Sequence, residues 1–364
     1  MIGKHLAGVA LIAAATGSAA LVASPAGATP AHRPTYSHGV TQTNLVSDQP
    51  GRAQITDPNL KNAWGMSRGP NTPVWVSNAG TSTSTLYTGA VNGSPVVAAP
   101  AGSPLIVKVP GGPPTGQTFN SASSGFVVPG TGASANFIFA TVGGTIAAWN
   151  PASGTQAATV ATVPGAIYTG LTQAVGPSGP VLLAADFHNN RIDVFNSSFQ
   201  RIDTRGRFRD RSLPGDYAPF NVQVLGNHVY VAYAKQDADR EDDVPGAGLG
   251  FVNKFSTSGT LEQRIASRGP LNAPWGLVIA PKHFGKFSND LLVGNFGDGT
   301  IHAYNPRHGR FLGTVTDTHG RAIKIDHLWA LLTGDAVAGG PRSIWFSSGP
   351  DDEQHGLVGI LTAQ

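Results

Sequence analysis

Short apolar stretches recur along the chain, each running into a polar turn and then into a stretch where apolar and polar positions alternate. The clearest is Leu291-Leu292-Val293-Gly294-Asn295, followed after Gly299-Thr300 by Ile301-His302-Ala303-Tyr304-Asn305. Phe137-Ile138-Phe139 with Gly144-Thr145-Ile146, Trp149 and Asn150 repeats the design. So does Leu182-Leu183-Ala184-Ala185-Asp186 with Arg191-Ile192-Asp193-Val194-Phe195-Asn196. Period-two alternation after a tight turn marks a β-hairpin. Weaker copies begin at Val74, Val229 and Ile344.

Upstream of each hairpin stands a further apolar strand. These open at Trp64-Gly65, Gly125-Phe126, Gly170-Leu171, Asn221-Val222, Trp275-Gly276 and Trp329-Ala330, a mean spacing of about 53 residues. Six such units with no helical period between them predict an all-β fold, a six-bladed β-propeller of four-stranded blades. Residues 41–47 form a strand ahead of the first unit. They are expected to close the last blade as its outer strand and so hide an open edge. A stack of two β-sandwiches is the competing arrangement.

The first 28 residues follow a different rule. Lys4 and His5 precede an Ala-rich apolar run over residues 6–22, and Ala26-Gly27-Ala28 has the small-x-small form of a leader cleavage site. Residues 1–28 are read as a signal peptide, 29–40 as a flexible linker and 41–364 as one propeller domain. The mature protein is expected to be secreted, extracellular, off the membrane and monomeric. Composition agrees with this picture. Among 364 residues there are 47 Gly and 27 Pro, too many for a helical protein, while 40% hydrophobic content argues against disorder. A net charge of +3 does not call for a nucleic-acid partner, and the lack of cysteine excludes a disulfide framework or thiolate metal site.

In an up-and-down blade, the start of the inner strand and the turn between the second and third strands lie at the same end. Six blades therefore bring these positions to one mouth of the central channel. The candidate ligand-binding residues are Asn78, Asp186, Tyr233 and Asn295 from the turns, with Trp64, Trp275 and Trp329 from the inner strands. The indoles suit stacking on a sugar ring or packing between blades, and the Asn and Asp side chains suit capping their own turns. Two loops add charge. Residues 235–243 hold five carboxylates, of which Asp237, Asp239 and Asp242 are candidate oxygen ligands for Ca2+, the one cofactor suggested. Residues 350–355 supply Asp352 and His355, which with His188 and His327 are the candidate catalytic acid–base groups.

Two other motifs are set aside. Gly65-Met66-Ser67-Arg68-Gly69 spells a nucleophile elbow, but its Ser falls inside a predicted strand rather than at a strand-to-helix turn. Residues 201–211 hold five Arg interleaved with Asp203 and Asp210 and with little aromatic content, which reads as a solvated loop between blades.

The string Leu183-Ala184-Ala185-Asp186 with Asn189-Asn190-Arg191-Ile192-Asp193-Val194-Phe195 resembles the NHL repeat. Residues 43–48, 234–239, 242–244, 272–276, 290–299 and 349–353 together resemble a family of secreted bacterial propellers with no assigned reaction. The resemblance implies a propeller and secretion, and names no chemistry. Lactonase-type propellers, gluconolactonase and regucalcin-like, hold a cation with carboxylate and amide side chains, a set that Asp186, Asn295 and Asn78 would imitate. Two functions stay open: a module binding a small molecule, glycan or protein at the mouth with Ca2+ as a candidate aid, or a metal-assisted hydrolase, lactonase or lyase using the same mouth.

Overall fold

The computed structural model describes residues 39–363. The expected signal peptide, and the linker up to residue 38, lie outside the described residues. Six antiparallel sheets succeed one another along the chain. The first blade runs outward through Ala63–Ser67, Val74–Asn78, Thr83–Gly89 and Val96–Ala98, and the second through Pro114–Phe119, Phe137–Thr141, Thr145–Trp149 and Ala158–Thr162. The third holds Tyr168–Gly176, Gly179–Asp186, Arg191–Phe195 and Arg201–Ile202, and the fourth Tyr217–Leu225, His228–Lys235, Phe251–Ser256 and Leu261–Ser267. The fifth is Pro274–Ile279, Leu291–Asn295, Ile301–Tyr304 and Phe311–Thr314. The sixth takes Leu328–Thr333, Ser343–Ser348 and Leu357–Ala363, and its fourth strand is the N-terminal Val40–Ser47, which pairs antiparallel with Leu357–Ala363. The fold is the expected six-bladed propeller, closed by its N-terminal strand.

Alternation along the strands explains the packing. Blades lie face to face, so a central strand is buried on both sides and reads as an unbroken apolar run. In Phe137–Thr141, Phe137 and Phe139 join Trp75 and Trp149 in the core between the first two blades. Ile138 and Ala140 turn the other way, onto Tyr168 and Leu182 of the third blade. Corresponding clusters fill the remaining junctions. Each buried Leu, Ile or Phe adds roughly 1.5–3 kcal/mol of transfer free energy, so the stability is distributed around the ring.

The inner strands pack side by side about the axis, and a small residue marks the closest approach in most of them. Gly65, Gly116, Gly170 and Gly276 each face backbone of the next inner strand. A Cβ on Gly116 would run into the backbone of Gly170 and Leu171. The second position corrects the sequence reading, which opened that inner strand at Gly125-Phe126. The strand is Pro114–Phe119, and Phe126 lies beyond it, buried against Phe199 in the next interblade core. Phe126 is apolar and follows a Gly, which made it look like a strand opening. Side-chain bonds link the ring further: Thr115 Oγ1 donates to the Tyr168 carbonyl (2.6 Å), and Asn221 Nδ2 to the Trp275 carbonyl (2.8 Å).

Candidate functional site at the channel mouth

Aromatic rings seal the mouth where the inner strands begin. Trp64 and Trp329 stack with centroids 3.6 Å apart. Trp275 meets Trp329 edge-on at 5.8 Å, Phe296 lies 4.1 Å from Trp329, and Phe220 packs on Trp329, Phe296 and Phe187. All six are at most 8% exposed and belong to one core cluster. The three indoles are therefore a plug, the packing alternative of the sequence analysis. Phe187, Phe220 and Phe296 were missed there, although Phe187 and Phe296 directly follow the turn positions Asp186 and Asn295. Below the plug, the cavity lined by Met66, Gln117, Gln223 and Leu331 measures ≈ 10 Å³, about the room of one water.

Asn62 connects the plug to the rim. Its Oδ1 accepts from Trp329 Nε1 (2.9 Å), its Nδ2 donates to Glu353 Oε2, and its backbone N–H bonds the His355 carbonyl (3.0 Å). The 350–355 loop over it is strained. Asp351, Asp352 and Glu353 all have positive φ, as do Asn62 and His327. Such conformations cost ordinary L-residues roughly 1–2 kcal/mol each and cluster at sites where geometry matters. Burial raises the Glu353 carboxyl above its ordinary range despite the Asn62 bond, and Asp242 and Asp352 push it the same way while His327 opposes.

The fourth blade's 237–243 loop reaches the same rim, on the face where the sequence analysis set both charged loops. Burial, then the negative charges of Glu353 and Asp242, push Asp243 up to about 7. Its Oδ2 is buried without a hydrogen-bond partner. His327 completes the group: its Nδ1 lies 2.9 Å from Asp326 Oδ1 and its Nε2 3.8 Å from Asp352 Oδ1, with Phe296 beneath its ring. The arrangement is a half-buried, under-compensated carboxyl pair, Asp243 and Glu353, over an aromatic floor, ringed by exposed carboxylates.

The other candidates are employed elsewhere. His355 Nδ1 bonds Asp48 Oδ2 (2.8 Å), and the same carboxylate accepts the Gly356 N–H (2.9 Å). His355 therefore ties the last blade to the N-terminal strand and is not brought to His327. His188 belongs to the third blade, beside Gln236, and its Nδ1 is buried and unpartnered. Asp186 is held by Asn189 Nδ2 (2.9 Å) and Arg191 (2.9 Å), with burial raising its carboxyl. Asn295 Nδ2 donates to the Pro270 carbonyl, Asp298 and Thr300, and Asn78 Nδ2 to Thr83 and Thr85. These three cap turns in their own blades, one strand removed from the axis, and do not converge as a cation set. Tyr233 packs between the third and fourth blades. Asp237 Oδ1 accepts the Glu241 N–H (2.9 Å), while Asp239 and Asp242 are exposed. Among the described residues no cluster of three or more His, Cys, Asp or Glu is placed to hold a metal, so the three Asp do not fit a Ca2+ cage in this geometry. They shape the loop that carries Asp243.

The fold and repeats define a β-propeller of NHL-like type. No family model matches the chain. It is 32% identical over 329 residues to the uncharacterized protein R648 of Acanthamoeba polyphaga mimivirus, covering 87% of this chain and 78% of the relative. The chain belongs to the family of that viral protein. A second mimivirus protein, the uncharacterized L690, is 34% identical over 189 residues, covering 50% of this chain and 48% of its own length. Both relatives are viral and lend no support to the bacterial, secreted character that the sequence resemblance implied. Among solved structures, a Bacteroides thetaiotaomicron protein of unknown function superposes with a TM-score of 0.54 at 13% identity, over 89% of this chain and 76% of the other. That likeness concerns the fold alone.

Proposed function

We propose that the protein is a secreted, extracellular binding module whose channel mouth receives a cationic group on a small molecule, glycan or protein partner. One observation carries this reading: the sealed mouth sets Asp243, whose Oδ2 is buried without a partner, beside Glu353, above a cavity with room for about one water. Burial, and then neighbouring negative charge, raises both carboxyls, and a cation docked there favours their ionised forms. Secretion rests on the leader, and N-terminal sequencing of exported protein should read Thr29 first; an intact Met1 in the medium removes it from the account.

Calorimetric titration with spermidine and with a Lys/Arg-rich peptide tests the binding. Affinity should rise between pH 5 and pH 8 as Asp243 ionises, and Asp243→Asn and Glu353→Gln should each weaken it roughly tenfold. Binding indifferent to both substitutions overturns the reading. A second reading, a hydrolase, lactonase or lyase, is favoured by one feature: a carboxyl held up to about 7, that of Asp243, beside a Glu353 that interacts with His327, suits proton transfer near neutral pH. Turnover of an ester, lactone or polysaccharide that is abolished in Asp243→Asn would put it first.

A further inference from the structure

The connection between the third and fourth blades, residues 203–216, is not used by the mouth. Its side chains alternate. Phe208 turns inward and joins the core between these blades, 5.9 Å from Phe255. Asp210 turns inward too, and its carboxylate accepts from Arg264, Ser212 (2.6 Å) and Asn253 (3.0 Å). These anchors throw the intervening Arg207, Arg209 and Arg211 outward, exposed, onto one cleft of ≈ 370 Å³.

The three guanidiniums differ from their neighbours. Arg191, Arg201 and Arg264 are each paired with Asp193, Asp186 or Asp210. Among the described residues, Arg207, Arg209 and Arg211 make no ion pair. Three like charges within five residues, in one concavity, leave a positive potential that Asp210, which lines the same cleft but is paired with Arg264, does not balance. Tyr233 lines the cleft from the core between the blades, its hydroxyl turned to Asn253. Ile192, Tyr217 and Pro219 add an apolar wall. Guanidinium forks match the oxygens of a sulfate or phosphate group, and the apolar wall suits the carbon part of an ester.

We propose that this cleft is a second binding site, for a sulfate or phosphate group, distinct from the mouth and opposite to it in charge. Calorimetry and melting curves at fixed ionic strength test it, replacing chloride with inorganic sulfate or phosphate and then adding glucose 6-sulfate or glucose 6-phosphate. Sulfate raises Tm by general exclusion in any protein, so the comparison with variants is what decides. Arg209→Gln should weaken sulfate binding roughly tenfold, and the Arg207→Gln/Arg209→Gln/Arg211→Gln variant should abolish it. Tighter binding of the esters identifies a carried group, and equal binding identifies the free ion; either supports the site. A triple variant with the full sulfate response overturns it, as does an oligonucleotide that binds through these arginines when no small anion does. Spermidine titration of the same triple variant reports separately on folding and on the mouth.

Discussion

Asp243 keeps its proton to about pH 7 because burial and the charges of Glu353 and Asp242 all oppose ionisation. An unfolded Asp ionises near 3.9, so between about pH 4 and pH 7 the native state holds a proton that the unfolded state has lost. This stabilisation is complete below pH 4 and is lost as pH rises through 7. Asp243→Asn should therefore flatten the stability profile across that window and, at pH 8, stabilise the protein by on the order of 2 kcal/mol. Urea midpoints at pH 5 and pH 8 check it; a variant less stable than the parent at pH 8 contradicts the assignment. Asp210 shows the opposite balance. Desolvation pushes its carboxyl up, but bonds from Arg264, Ser212 and Asn253 outweigh this and hold it down at about 2. Both residues lie in acidic or basic runs that the sequence displays plainly. Neither environment is legible there, since each depends on partners from other parts of the chain.

The inner strands show how local geometry redirects side chains. A register irregularity follows the first residues of all six: between Ala63 and Met66, Pro114 and Gln117, Tyr168 and Gly170, Pro219 and Asn221, Pro274 and Gly276, and Leu328 and Leu331. A bulge of this kind shifts alternation by one and changes the face on which later residues emerge. Trp64 and Trp275 accordingly close the channel instead of standing open to a ligand. The same geometry draws the small-residue positions into backbone contact. Gly116→Ala should force the second and third inner strands apart and cost about 1–3 kcal/mol, read as a lower guanidinium midpoint with the m-value unchanged. An unaltered midpoint would mean that the ring is looser at this point than the packing requires.

Across the whole molecule, closure rests on one strand from each terminus. Val40–Ser47 covers Leu357–Ala363, and it buries Leu45 and Val46 completely. Asp48 follows it and holds His355, so the closing strand also steadies the loop that presents Glu353. Removing residues 40–47 strips the outer strand from the last blade and leaves an unpaired edge. Such a chain should melt cooperatively at a markedly lower temperature and self-associate, and it should lose affinity at the mouth as well. Light scattering and calorimetry check this; a monomeric truncation with the parent's Tm would show that closure is not what holds the ring.

The blade number, the four-stranded hairpin units and the closing strand could be read along the chain, because period-two alternation and Gly-rich turns are local properties of neighbouring residues. The caps formed by Asp186, Asn295 and Asn78 are local too, and were among the alternatives visible there. Only the closed ring decided which inner strand opens the second blade, that the tryptophans form a plug, and that Glu353 is brought to both Asp243 and Asn62. Those residues come from three different blades, and their juxtaposition depends on closure and on the bulges that set side-chain direction, neither of which is encoded in any short stretch of the chain.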